Sequence, residues 1–146
     1  MTKMNRINII CLGVRNMAHS VSLYRDGLGF ETKESNNNPE VIFFQNDGPI
    51  LELYPLELLA KDFNQTLPTL EPGRFNGVTL AYNVKEKEDV FHIISLARSA
   101  GATILKEPSD VSWGGFHAYF ADPDAYVWEV CWNPTMPLDE MNRVQV

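Results

Sequence analysis

Apolar and polar positions alternate along this chain in two rhythms, and the same order of rhythms occurs twice. Residues 7–14, Ile-Asn-Ile-Ile-Cys-Leu-Gly-Val, form a short β-branched run, the pattern of a buried strand. Asn16 then offers a capping side chain, and Met17, Val21, Tyr24 and Leu28 follow at spacings of three and four, one stripe of a helix. Gly27 and Gly29 predict its end. A turn cluster, Asn36-Asn37-Asn38-Pro39, leads to a strand over 41–45, a turn at Asp47-Gly48-Pro49 and a strand over 50–54. Pro55, Pro68, Pro72 and Gly73 then mark a loop-rich crossover that has room for a short helix over 56–61.

The second half repeats the plan. A strand is predicted over 78–84, then a helix over 88–100 with Val90, Ile93, Ile94 and Ala97 on one face and Gly101 at its end. Residues 103–106 extend, Trp113-Gly114-Gly115 turns, and strands follow over 116–120 and 126–132. Val14 matches Val84 at an offset of 70 residues, and Leu51-Glu52-Leu53 matches Trp128-Glu129-Val130 at an offset of 77. The organisation inferred is α+β: two tandem β-α-β-β-β modules, the first over about 6–55, a linker over 56–76, the second over 77–133, and a tail over 134–146. A repeat of roughly 50 to 60 residues buries little core alone, so the halves are expected to pack on each other or on a partner chain.

Composition narrows the function. The 146 residues are 45% hydrophobic and 21% charged, which fits a folded protein and excludes general disorder. Twelve Lys and Arg against nineteen Asp and Glu give a net charge of −7, which repels phosphate backbones and argues against nucleic acid as a partner. No apolar stretch approaches the ~20 residues of a membrane span, and no cleavage signal follows the first residues, so a cytoplasmic protein is expected. Cys11 and Cys131, each inside an apolar run, read as strand thiols in a reducing compartment.

Two segments carry a resemblance: LGVRNMAHSVSLYRDGLGF, residues 12–30, and YFADPDAYVWEV, residues 119–130. Together with the double module they resemble the vicinal oxygen chelate superfamily, which includes glyoxalases, bleomycin-resistance proteins and extradiol dioxygenases. The resemblance spans about 8–132. It implies a glyoxalase-like fold with a cleft, a homodimer whose clefts are completed within or across chains, and a divalent metal held by a first-strand and a last-strand residue of each module. In this chain those positions fall on Ile9 and Thr79, and on Glu52 and Glu129. Ile9 has no lone pair, and a Thr hydroxyl is a poor ligand for Zn, Fe or Ni. The expectation is therefore loss of the usual transition metal and no cofactor; the alternative keeps a divalent ion on Glu52 and Glu129.

The site residues follow from the same reading. Glu52 and Glu129 interrupt apolar strands and are expected to face a polar cleft, where one could act as a general base. His117 shares a strand face with Tyr119 and is the best imidazole candidate, whereas His19 and His92 lie off their helical stripes and read as surface residues. Trp113, Phe43, Tyr54, Tyr82, Tyr119 and Thr79 are candidates for contacting a small organic ligand. Trp128 and Trp132 alternate with Glu129 and belong to the core. Asp122-Pro123-Asp124-Ala125 reads as a structural turn in which Ala125 either avoids positive φ or accepts strain. Arg15, Arg25, Arg74 and Arg98 are too scattered to make a glutathione-binding pair. Three functions stay open: a metal-independent small-molecule binder or unusual enzyme, a metal-dependent lyase, isomerase or dioxygenase, and a drug-sequestering protein without turnover.

Overall fold

The computed structural model describes residues 2–65 and 75–146. Pro68, Pro72, Gly73 and Arg74 lie outside the described residues. Strand β1, Ile9–Val14, leads into helix α1, Met17–Val21, whose first turn is closed by Asn16 Oδ1 accepting from the His19 amide at 3.0 Å. The helix then widens into a π turn over Ser22–Gly27, with the Leu28 amide donating to the Leu23 carbonyl five residues back. Met17, Val21 and Tyr24 stay buried through the change of pitch. Gly27 is required by closeness: a Cβ there would lie 2.4 Å from the Ala100 Cβ, where the ends of two helical segments abut.

Strands β2, Ile42–Phe44, and β3, Ile50–Pro55, complete a three-stranded sheet in the order β1-β3-β2, with β1 parallel to β3. The first module thus has three ladder strands where four were expected. The chain beside β2 is fastened without a ladder: Gln45 donates its amide to the Glu31 carbonyl, and the Arg25 guanidinium takes the carbonyls of Glu34 and Asn36 and Asn37 Oδ1. Helix α2, Leu56–Asp62, opens the crossover.

The second module has the full set. It runs β4 (Thr79–Asn83), α3 (Asp89–Ser99), β5 (Thr103–Asp110), β6 (Phe116–Ala121) and β7 (Val127–Trp132). Its sheet has the order β4-β7-β6-β5, with β4 parallel to β7. Equivalent strands β1 and β4 are therefore both sheet edges. No helix among the described residues is long and apolar enough to cross a membrane.

One core joins the modules. Leu12, Val14, Leu51 and Leu53 of the first sheet share it with Ala118, Phe120, Trp128 and Val130 of the second. Because neighbours on a strand point to opposite faces, burying Leu51, Leu53, Trp128 and Val130 turns Glu52 and Glu129 outward from this core. Aromatic rings fill the seam: Tyr24, Phe30, Phe44, Phe120 and Trp128 make successive contacts with centroids 5.6–6.2 Å apart.

Candidate functional site

The second sheet's outer face gathers the polar chemistry. His117 and Tyr119 alternate on β6, and Tyr119 is paired across the ladder with Glu129 on β7. His117 Nδ1 lies 2.8 Å from Glu129 Oε2, and the Tyr119 hydroxyl donates to the same oxygen at 3.0 Å. From β5, Lys106 places its ammonium 2.9 Å from His117 Nε2. An ammonium has only hydrogens to offer, so Nε2 is the accepting nitrogen and Nδ1 carries the proton donated to Glu129. His117's side chain is 9% exposed and Glu129's 22%, so the pair is shielded but reachable. Burial, and then the carboxylate of Glu129, raise the Tyr119 phenol above its ordinary range.

Glu52 occupies the corresponding place on the first sheet. It sits across from Cys11 on β1 and Phe43 on β2. Burial and the neighbouring Glu52 push the Cys11 thiol up to about 12. Cys131 is likewise raised, to about 11, by burial and then Glu129. Both cysteines are free, Cys131 buried and Cys11 half-buried.

The registers show what stands around the two glutamates. The residues directly beside Glu52 and Glu129 on the first strands are Cys11 and Ala81; Ile9 and Thr79 lie two residues away on the same faces. Tyr82 pairs with Val130 and so stands on the face opposite Glu129. Glu52 and Glu129 stand on separate sheets, each turned away from the common core. Tyr54 lies on the Glu52 face, two residues along. Trp113 is half-exposed, its ring folded over Gly115 so closely that a Cβ there would meet it at 2.0 Å. His19 and His92 are exposed, as expected.

A cleft of about 950 Å³ does lie between the modules, lined by Ile10, Leu28, Phe30, Leu80, Tyr82 and Trp128 among others, but neither glutamate reaches it. Among the described residues no three His, Cys, Asp or Glu side chains gather closely enough to hold a metal ion. Around Glu129 the donor set does not fit one. The Lys106 ammonium stands at the one imidazole nitrogen a dication could use, and Glu129 Oε2 already takes two hydrogens.

Sequence reasoning missed Lys106, which lies on a strand whose ladder slips on both sides of it, between Ile104 and Lys106 and between Lys106 and Ser109. Such bulges re-aim a side chain, and periodicity does not reveal them.

The turn at 122–125 is structural, as its composition implied. Asp122 Oδ2 takes the Tyr24 hydroxyl, while its Oδ1 takes the amides of Asp124 and Tyr126. Burial raises the Asp122 carboxyl, opposed by these hydrogen bonds. Asp124 reaches the Arg15 amide at 3.0 Å, and Ala125 accepts the strain of a φ of +67°.

Two modules with parallel first and last strands, each bearing an outward glutamate on the last strand, define a paired-module protein of the glyoxalase type. The chain belongs to the Glyoxalase/Bleomycin resistance protein/Dioxygenase superfamily, whose profile it matches over residues 6–130. It is similar to a glyoxalase-related enzyme from Fulvimarina pelagi, with a TM-score of 0.85 and 28% identity over 98% of this chain and 99% of that one. A hypothetical protein from S. aureus shares the fold at a TM-score of 0.72 and 21% identity, over 90% of this chain and 96% of that one. A lactoylglutathione lyase from Agrobacterium tumefaciens does so at 0.67 and 15%, over 91% and 97%. No curated protein sequence matches it.

Proposed function

We propose that this chain binds a small organic molecule against the outer face of its second sheet, at Glu129, His117, Tyr119 and Lys106, without a transition metal. The observation that carries the reading is the fixed polarity of His117, held between a carboxylate and an ammonium on a half-shielded face. An imidazole oriented in this way is suited to hydrogen-bond a ligand or to exchange a proton with it.

The reading includes a homodimer. Edge strands β1 and β4 leave backbone donors and acceptors without ladder partners, and Ile9 and Val78, on or beside them, are 48% and 58% exposed. A second copy that paired β1 with β4 would cover these groups and bring the Glu52 face of one chain toward the Glu129 face of the other. Thr79, Tyr54, Phe43 and Trp113 would then line the closed cleft. The free thiols support a reducing, cytoplasmic setting.

Native mass spectrometry of the untagged protein tests this. The expected result is a dimer with no stoichiometric metal and with added organic mass that His117→Gln or Glu129→Gln removes. One divalent ion per chain, lost in Glu129→Gln, would replace this reading with a metal-dependent lyase, isomerase or dioxygenase.

A further inference from the structure

The cleft between the modules, about 950 Å³ and away from both glutamates, has an apolar floor and an acidic rim. Ile10, Phe30, Leu80, Tyr82 and Trp128 supply apolar surface, and Tyr82 is 48% exposed. Among its rim residues are Glu31, Asp47 and Asp89, against a single lysine, Lys85. Asp89 is engaged by His92 and the Glu86 amide. The carboxylates of Glu31 and Asp47 pair with none of the described residues. Such an opening suits an apolar segment that carries positive charge.

The chain has a segment of that kind. Residues 2–8, Thr-Lys-Met-Asn-Arg-Ile-Asn, lie outside every strand and helix and are exposed, Met4 at 96% and Ile7 at 68%. None of the described carboxylates pairs with Lys3 or Arg6, and Arg6 reaches only Asn8 Oδ1, at 3.3 Å. Its own cleft is closed to this segment. The Asn8 carbonyl is held by the Ile50 amide, and Ile9 and Ile10 are laddered to β3, so the chain stays extended through residue 10. A reversal would have to be made by Met4–Ile7 themselves, the residues that would fill the space.

We propose that the segment over residues 2–8 of one copy of this chain fills the intermodule cleft of a second copy. Met4 settles on the apolar floor beside Tyr82, and Lys3 and Arg6, flanking it, meet Glu31 and Asp47 on the rim. This inference rests on the homodimer in which β1 of one copy pairs with β4 of the other. Residues 80–83 of β4 form one wall of the cleft, so that pairing sets the start of β1 beside it. Seven extended residues then reach about 23 Å further. By symmetry the exchange is reciprocal, and each cleft is completed by the other copy.

The full-length variant Met4→Cys/Tyr82→Cys tests this after mild oxidation, by non-reducing electrophoresis and mass spectrometry of the linked peptides. Both positions are exposed, so the changes leave the core intact, and Cys11 and Cys131 are half-buried and buried. The expected product is a covalent dimer joined between positions 4 and 82. Adding Lys3→Glu and Arg6→Glu should cut its yield roughly fivefold, and further adding Glu31→Lys and Asp47→Lys should restore it. A 4–82 link within one chain would overturn the proposal, as would a yield indifferent to the charge reversal. No 4–82 link in a protein that sediments as a dimer would overturn it too, leaving the dimer reading standing. A monomeric wild type at the same concentration removes both.

Discussion

The Tyr24 hydroxyl donates to Asp122 Oδ2 at 2.7 Å and accepts from the Trp128 indole at 3.0 Å, so one phenol ties the first module's helical turn to two elements of the second. Both residues are buried, and 98 positions separate them in the chain. The two segments whose pattern marks the family are thus joined physically, at the seam between modules.

Tyr24→Phe should cost about 1–3 kcal/mol, because it strands a buried carboxylate oxygen and an indole N–H. Denaturant titration measures it. Burial and then Asp122 raise the Tyr24 phenol well above its ordinary 10.0, so the folded chain keeps a proton that the unfolded chain releases. That contribution is complete below pH 10 and is lost as pH rises through the folded value. Stability should fall more gently on the alkaline side in Tyr24→Phe than in wild type.

Ala125→Gly should stabilise the protein by about 1 kcal/mol. A side chain at a φ of +67° crowds its own backbone, and glycine removes that strain at a modest cost in unfolded-chain entropy. A rise in Tm with unchanged ligand binding would show it, and no change would mean the turn relaxes around alanine.

Neither thiol should react while the protein is folded. With Cys11 held at about 12 and Cys131 at about 11, the thiolate that an alkylating reagent needs is scarce at pH 8. Mass spectrometry after iodoacetamide treatment should find both cysteines unmodified in the native chain and both modified in denaturant.

Ile9→Lys tests the assembly. Ile9 is 48% exposed on edge strand β1, and a charge there costs a monomer little but would be buried in a dimer formed through that edge. Sedimentation velocity should show a wild-type dimer and a monomeric variant with the same circular dichroism. A monomeric wild type would end the dimer reading.

Glutamate placement shows how far the sequence reaches. An acidic residue in the middle of Ile50-Leu51-Glu52-Leu53-Tyr54, and again in Val127-Trp128-Glu129-Val130-Cys131, declares by alternation alone that it faces away from the core. His117 and Tyr119 are legible by the same rule. Lys106 is not, because the slips that aim it depend on how β5 fits against β6, a relation between segments eleven residues apart.

Local pattern by itself determined the strands of the second module, the helical stripes, the Asn16 cap, the glycine stops and the repeat, but not that the first module keeps only three ladder strands. Each depends on spacing within a few residues, and spacing is written in the chain. Tertiary structure decided which residues stand beside the two glutamates and that Tyr82 turns away from them. Those outcomes depend on ladder register and on packing both modules around a single aromatic seam, where one residue of slip reverses every face.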